Sequence, residues 1–117
     1  MNVESVREYC LNMKGVTESF PFDETTLVFK VVGKIFALVN LDGDPSINLK
    51  CDPEKAVLLR EQYESVIPGY HMNKKHWNTI RLNSMLPENL IKEWIDDSYR
   101  QVILRMSKKD RKKLAMD

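Results

Sequence analysis

"TTLVFKVVGKIFALVNLDGDPSINLKC", residues 25–51, is the stretch whose reading decides the fold. β-Branched and aromatic residues fill it, and turn-forming residues interrupt it twice, at Gly33-Lys34 and across Asp42-Gly43-Asp44-Pro45. Strands joined this closely pair antiparallel, because a parallel crossover needs a dozen or more residues. Glycine in the first position of a two-residue turn suits type II′, so Gly33-Lys34 is expected to form one. The last segment alternates: Ile47, Leu49 and Cys51 share one side, while Ser46, Asn48 and Lys50 share the other.

On the N-terminal side, Val3, Val6, Cys10 and Met13 recur on one helical face, with Asn2 as cap and Gly15 as stop, which predicts a helix over 3–14. A short strand is expected near 19–22, confined to an edge by Pro21. On the C-terminal side, Asp52-Pro53 opens a helix to about residue 64. "SVIPGYHMNKK", residues 65–75, reads as a connection punctuated by Pro68 and Gly69. Alternation returns from His76 to Asn83, with Ile80 and Leu82 on one side. Pro87 then starts a long helix through about Arg105, whose apolar stripe is Leu90, Ile91, Trp94, Ile95, Val102 and Ile103. Ser107 caps a last helical segment carrying "KKDRKK", residues 108–113. The expected architecture is a single α+β domain over 1–117, a mostly antiparallel sheet of about five strands with helices packed on one face.

Composition removes several function classes. The chain has 117 residues, enough for one core without a metal or disulfide staple. No apolar run is long enough to span a bilayer and no basic-then-apolar leader is present, so a cytoplasmic protein is expected. Cys10 and Cys51 are too few and too far apart for a disulfide framework or zinc cluster, and read as buried thiols. His71 and His76, five apart, share neither a helix face nor a strand face, so no metal site is expected. The four glycines, at 15, 33, 43 and 69, never cluster into a phosphate cradle, and no serine elbow exists. Asp96 and Asp97 point about 100° apart on a helix and so share no proton; surface pairing of Asp96 with Lys92 and Arg100 is expected instead. Neither an enzyme nor a cofactor is indicated.

The candidate surface is "YHMNKKHWNTIRLN", residues 70–83. Strand parity puts Trp77, Thr79 and Arg81 opposite Ile80 and Leu82. An indole beside lysine, arginine and asparagine suits nucleic acid: cations neutralise phosphates, asparagine bonds base edges or phosphates, and the ring stacks on a base or wedges beside it. The predicted contacts are Asn73, Lys74, Lys75, His76, Trp77 and Arg81, aided by Lys34, Lys50 and the 108–113 cluster. The bland alternative is a structural tryptophan among scattered surface lysines. Charge is uneven along the chain: residues 1–69 hold 7 Lys and Arg against 11 Asp and Glu, and residues 70–117 hold 11 against 6. Such asymmetry points to one electropositive face.

"FPF" (20–22), "HMNKKHWNTIRL" (71–82) and "LPENLIKEWIDDSY" (86–99) carry a resemblance. Over nearly its whole length the chain resembles the MmcQ/YjbR family of small bacterial proteins. Met72 stands where members tend to have leucine. The resemblance implies a YjbR-like, CyaY-like α+β domain, related in shape to secretion chaperones and frataxin-like folds. It also implies a non-enzymatic DNA-binding role, with paired hairpins as a double wing and double-stranded DNA as partner. Asn73, Lys74, His76 and Trp77 match the motif and carry over as contacts; no catalytic residue does. A monomer is expected. The alternative function is a protein-interaction or chaperone-like adaptor.

Overall fold

In the computed structural model, residues 1–69 and 72–116 are described, the side chain of Met116 excepted. Helix α1 spans Val3–Leu11. The Asn2 side chain accepts from the Ser5 N–H at 2.8 Å while Ser5 Oγ accepts from the Asn2 N–H at 3.0 Å, a capping box that satisfies two otherwise orphaned donors. The helix stops at the Asn12 cap, short of the residue 14 expected from Gly15. The first strand, β1, is Val16–Ser19 rather than 19–22, which leaves Phe20-Pro21-Phe22 in a loop.

Strands β2 (Thr26–Val31), β3 (Lys34–Asn40) and β4 (Ser46–Lys50) form the expected meander. The β2–β3 turn differs from expectation. Val31 pairs with Lys34, so the turn residues are Val32 and Gly33, and their φ angles of 48° and 75° are both positive, as type I′ requires. A β-branched residue rarely enters this region; Val32 does so while its side chain packs against the main core. Helix α2 (Pro53–Gln62) starts on the Asp52 cap. A three-residue strand, β5 (Val66–Pro68), lies inside the segment expected to be a plain connection. It pairs with the outer edge of β6 (Trp77–Arg81) and raises the sheet to six strands in the order β1-β2-β3-β4-β6-β5, every neighbouring pair antiparallel. Gly69 closes that end: its N–H bonds the Trp77 carbonyl at 2.8 Å, and a Cβ there would lie 2.8 Å from Trp77 Cβ.

Helix α3 (Glu88–Leu104) crosses β2, β3 and β4, while α1 lies on β1 and α2 on β5 and β6. All three cover one face of the sheet. Leu27, Phe29, Val31, Phe36, Val39, Ile47 and Ile80 meet Val6, Cys10, Ala56, Ile91 and Ile95 there. Burying Phe29 and Phe36 completely stabilises the fold by about 2–3 kcal/mol each. Helix α4 (Lys108–Met116) starts on Ser107, whose Oγ accepts from the Asp110 N–H, and returns Leu114 to the core. Both cysteines are buried free thiols. Asp96 accepts from the Tyr9 hydroxyl at 2.8 Å, and Arg100 pairs with Asp97, not Asp96; Asp97 also holds Lys55 at 2.7 Å. Burial alone would raise the Asp97 carboxyl, but Lys55 and Arg100 outweigh it and hold it below the usual carboxylate range.

Phe29 faces Ala37 whereas Lys30 faces Ile35, so Phe36 is the extra residue of a β-bulge. The β3–β4 ladder ends there, at Ala37–Leu49. The next two backbone groups are bridged by a helix side chain. Ser98 Oγ donates to the Phe36 carbonyl at 2.6 Å and accepts from the Lys50 N–H at 2.8 Å. Ser98 is fully buried, so Ser98→Ala strands both groups away from water. The substitution should lower stability by about 1–3 kcal/mol in urea denaturation; an unchanged midpoint would show that the bridge holds nothing.

A cationic cleft at the end of the sheet

Turn geometry governs the candidate stretch. Asn73 Oδ1 accepts from the Lys75 N–H at 2.7 Å, and the Asn73 carbonyl accepts from the Trp77 N–H at 3.0 Å. Its side-chain oxygen is therefore engaged locally, as in other asparagine-led turns. Arg60 of α2 donates to the Lys74 carbonyl and, through Nε, to Asn78 Oδ1 at 2.6 Å, which pins the turn to the helix. The His76 carbonyl accepts from the Cys51 N–H at 2.7 Å; its Nδ1 is buried with no hydrogen-bond partner among the described residues. His71 lies outside the described residues.

Trp77 has the expected parity and an unexpected environment. It projects from the face opposite Ile80, where it joins Val28 and Leu38 in a small second cluster flanked by Ile35 and Met72. The residue is only 5% exposed. An indole so enclosed cannot stand free to stack on or wedge between bases, which corrects the role expected of it: Trp77 is an apolar floor of the cleft described below.

The predicted contacts separate into three places. Lys75 borders a depression on the outer side of α2, with Pro53, Val57, Leu58 and Arg60. Arg81 stands at the far end of the helix-free face in a depression of about 550 Å³ whose rim holds Asp23, Asp42 and Asp44. Lys34 and Lys50 meet Trp77 in a cleft of about 430 Å³ where the β2–β3 turn, the end of β4 and the start of β6 approach the end of α3. The pairing of Lys50 with Trp77 across β4 and β6 fixes two of these residues side by side.

Sequence reasoning missed the third cation of this cleft, Arg105, the cap residue at the end of α3. A signal existed. Ser98, Val102 and Arg105 follow the i, i+4, i+7 spacing of one helical stripe, so a helix docked by Ser98 carries Arg105 to the same edge. No acidic residue lines the cleft, and none of Lys34, Lys50 and Arg105 forms an ion pair among the described residues. Burial, and then the neighbouring Arg105 charge, push the Lys50 ammonium below the usual lysine value. The arrangement is suited to an anion. Among the described residues, no group of histidine, cysteine or carboxylate side chains is placed to hold a metal, and no helix is long and apolar enough to cross a membrane.

The YjbR family description matches residues 11–101. The chain belongs to the YjbR family. It is 40% identical over 112 residues to the uncharacterized protein YbdF of Escherichia coli O157:H7, covering 95% of this chain and 92% of that one. It is 35% identical over 115 residues to the uncharacterized protein YjbR of Escherichia coli strain K12, covering 97% and 98%. The crystal structure of Deinococcus radiodurans protein DR2400, domain DUF419, superposes with a TM-score of 0.90 at 39% identity, over 97% of this chain and 88% of that one. The YjbR-family match contains Lys34, Lys50 and Trp77 but ends before Arg105.

Burial of Trp77 is directly measurable. In a Trp94→Phe variant, Trp77 is the sole tryptophan. Its emission should be blue-shifted and resist acrylamide quenching; red-shifted, readily quenched emission would contradict the enclosed ring.

Proposed function

We propose that this YjbR-family chain is a non-enzymatic nucleic-acid-binding protein, DNA first among its partners, that grips phosphate through Lys34, Lys50 and Arg105. The observation supporting this reading is the convergence of three cations on one cleft with no carboxylate among its lining residues. Cations gathered without counter-charges repel one another and oppose folding locally, whereas a bound phosphate releases its own counterions and neutralises them. Trp77 contributes by position: its ring supports the floor, and its backbone pairing holds Lys50. Asn73 and His76 act as framework for the turn. Lys74, Lys75 and the exposed cations of 108–113 add to the attracting field without entering the cleft.

A second reading, a protein-interaction or chaperone-like adaptor, draws on Val57 and Leu58, which stand 48% and 58% exposed on the outer face of α2. DNA affinity that survives removal of the cleft cations would shift weight to it.

The test is a titration of labelled single-stranded and duplex DNA across salt concentrations. Three phosphate-neutralising cations imply a slope of log K against log salt of about −2 to −3. Lys50→Ala and Arg105→Ala should each weaken binding and flatten that slope by roughly one. Lys74→Ala/Lys75→Ala should have the smaller effect. Binding indifferent to salt and to all these changes would refute the reading.

A further inference from the structure

We infer that the cleft takes a nucleoside phosphomonoester, at the end of a nucleic-acid strand or as a free nucleotide, in preference to the internal diester backbone of a duplex. The inference rests on the nucleic-acid reading above and narrows it.

Charge balance is the first ground. Each internal phosphate of a strand carries a single negative charge, whereas a phosphomonoester carries about −1.5 to −2 near neutral pH and offers three acceptor oxygens. Three cations that form no ion pair among the described residues, lining a cleft of about 430 Å³, match the second far better than the first. Arginine adds a planar fork suited to two of those oxygens, and lysine a point charge to a third.

Shape is the second. Beside the cations the cleft is lined by Ile35, Met72, Trp77 and Val102. Its volume falls within the roughly 300–1,000 Å³ of small-molecule sites, which pair an apolar lining with a few placed polar groups. A phosphate held by the cations leaves apolar room for the sugar and base of the same nucleotide.

The remainder of the helix-free face is the third. Strand β3 runs seven residues from Lys34 to Asn40, a span of about 20 Å. Beyond Asn40 the rim carries Asp23, Asp42 and Asp44. A long polyanion laid along the strands would leave the three cleft cations and meet three carboxylates against the single Arg81, whereas a terminal group reaches only the basic end. The turn that presents Lys34 is also unusually constrained. Val32 holds a positive φ that a β-branched residue rarely adopts, and core packing retains it there.

The experiment uses the full chain with matched 3′-labelled single-stranded DNA bearing either a 5′-phosphate or a 5′-hydroxyl. Unlabelled nucleoside monophosphate and the corresponding nucleoside serve as competitors. The 5′-phosphorylated strand should bind at least about tenfold tighter, the scale of one charge-assisted contact. The monophosphate should compete where the nucleoside does not. Arg105→Met and, independently, Lys34→Met should abolish the difference while circular dichroism and the urea midpoint stay near those of the parent. A monophosphate that binds as tightly as the phosphorylated strand identifies the free nucleotide as ligand; a tighter strand identifies the strand end. Equal, salt-dependent affinity for the two 5′ ends would overturn the inference and leave the nucleic-acid reading standing. Failure of every probe to bind would overturn both.

Discussion

A single buried hydroxyl governs how the helical layer meets the sheet. Ser98 takes the Phe36 carbonyl and the Lys50 N–H at the point where the bulge ends the β3–β4 ladder. Without it, two backbone groups would be buried unpaired, at a cost of about 1–3 kcal/mol. Because helical residues four and seven apart share a face, anchoring Ser98 also sets Val102 and Arg105 over the end of β4. Arg105 then lines the same cleft as Lys50, with no carboxylate among the described lining residues. A local defect in the sheet thus becomes a concentration of positive charge. Proteins hold such unfavourable arrangements mainly where function compensates for them.

The two faces of the sheet carry different tasks. One is sealed by α1, α2 and α3 and supplies most of the buried apolar surface. Among the described residues, the other carries the Val28–Leu38–Trp77 cluster, with polar and charged residues toward both ends. Its polarity runs along the strands, acidic near the β3–β4 turn and basic near the β2–β3 turn. This pattern is invisible in the charge of the sequence halves. Lys34 and Lys50 come from the acidic half and join Arg105, whereas Arg81 comes from the basic half and sits among aspartates.

Elements with local causes were legible in the sequence. The Asn2 cap, the Asp52-Pro53 helix start, the alternation of β4 and the parity of Trp77 are each determined by a few adjacent residues. Strand β5 escaped because three residues ending in proline give no alternation to detect. The β2–β3 turn shifted by one residue because core packing of Val32 overrode its local preference against positive φ. Parity told which side Trp77 takes but not that Val28, Leu38, Ile35 and Met72 close over it. Partners distant in sequence were the hardest. Asp96 meets Tyr9 across 87 positions, and Arg105 reaches the cleft only because Ser98 bonds a strand 62 positions away. The candidate site was accordingly half visible: Lys34, Lys50 and Trp77 come together, while Lys75 and Arg81 face elsewhere.

The central claim is that Lys50 and Arg105 share one uncompensated cleft. Nitrogen-detected NMR titration of the Lys50 ammonium, in the parent chain and in Arg105→Met, tests it most directly. Burial together with the Arg105 charge predicts a pKa below the usual lysine value that rises when Arg105 is replaced. An ordinary lysine pKa, unmoved by the replacement, would mean that the two cations do not meet.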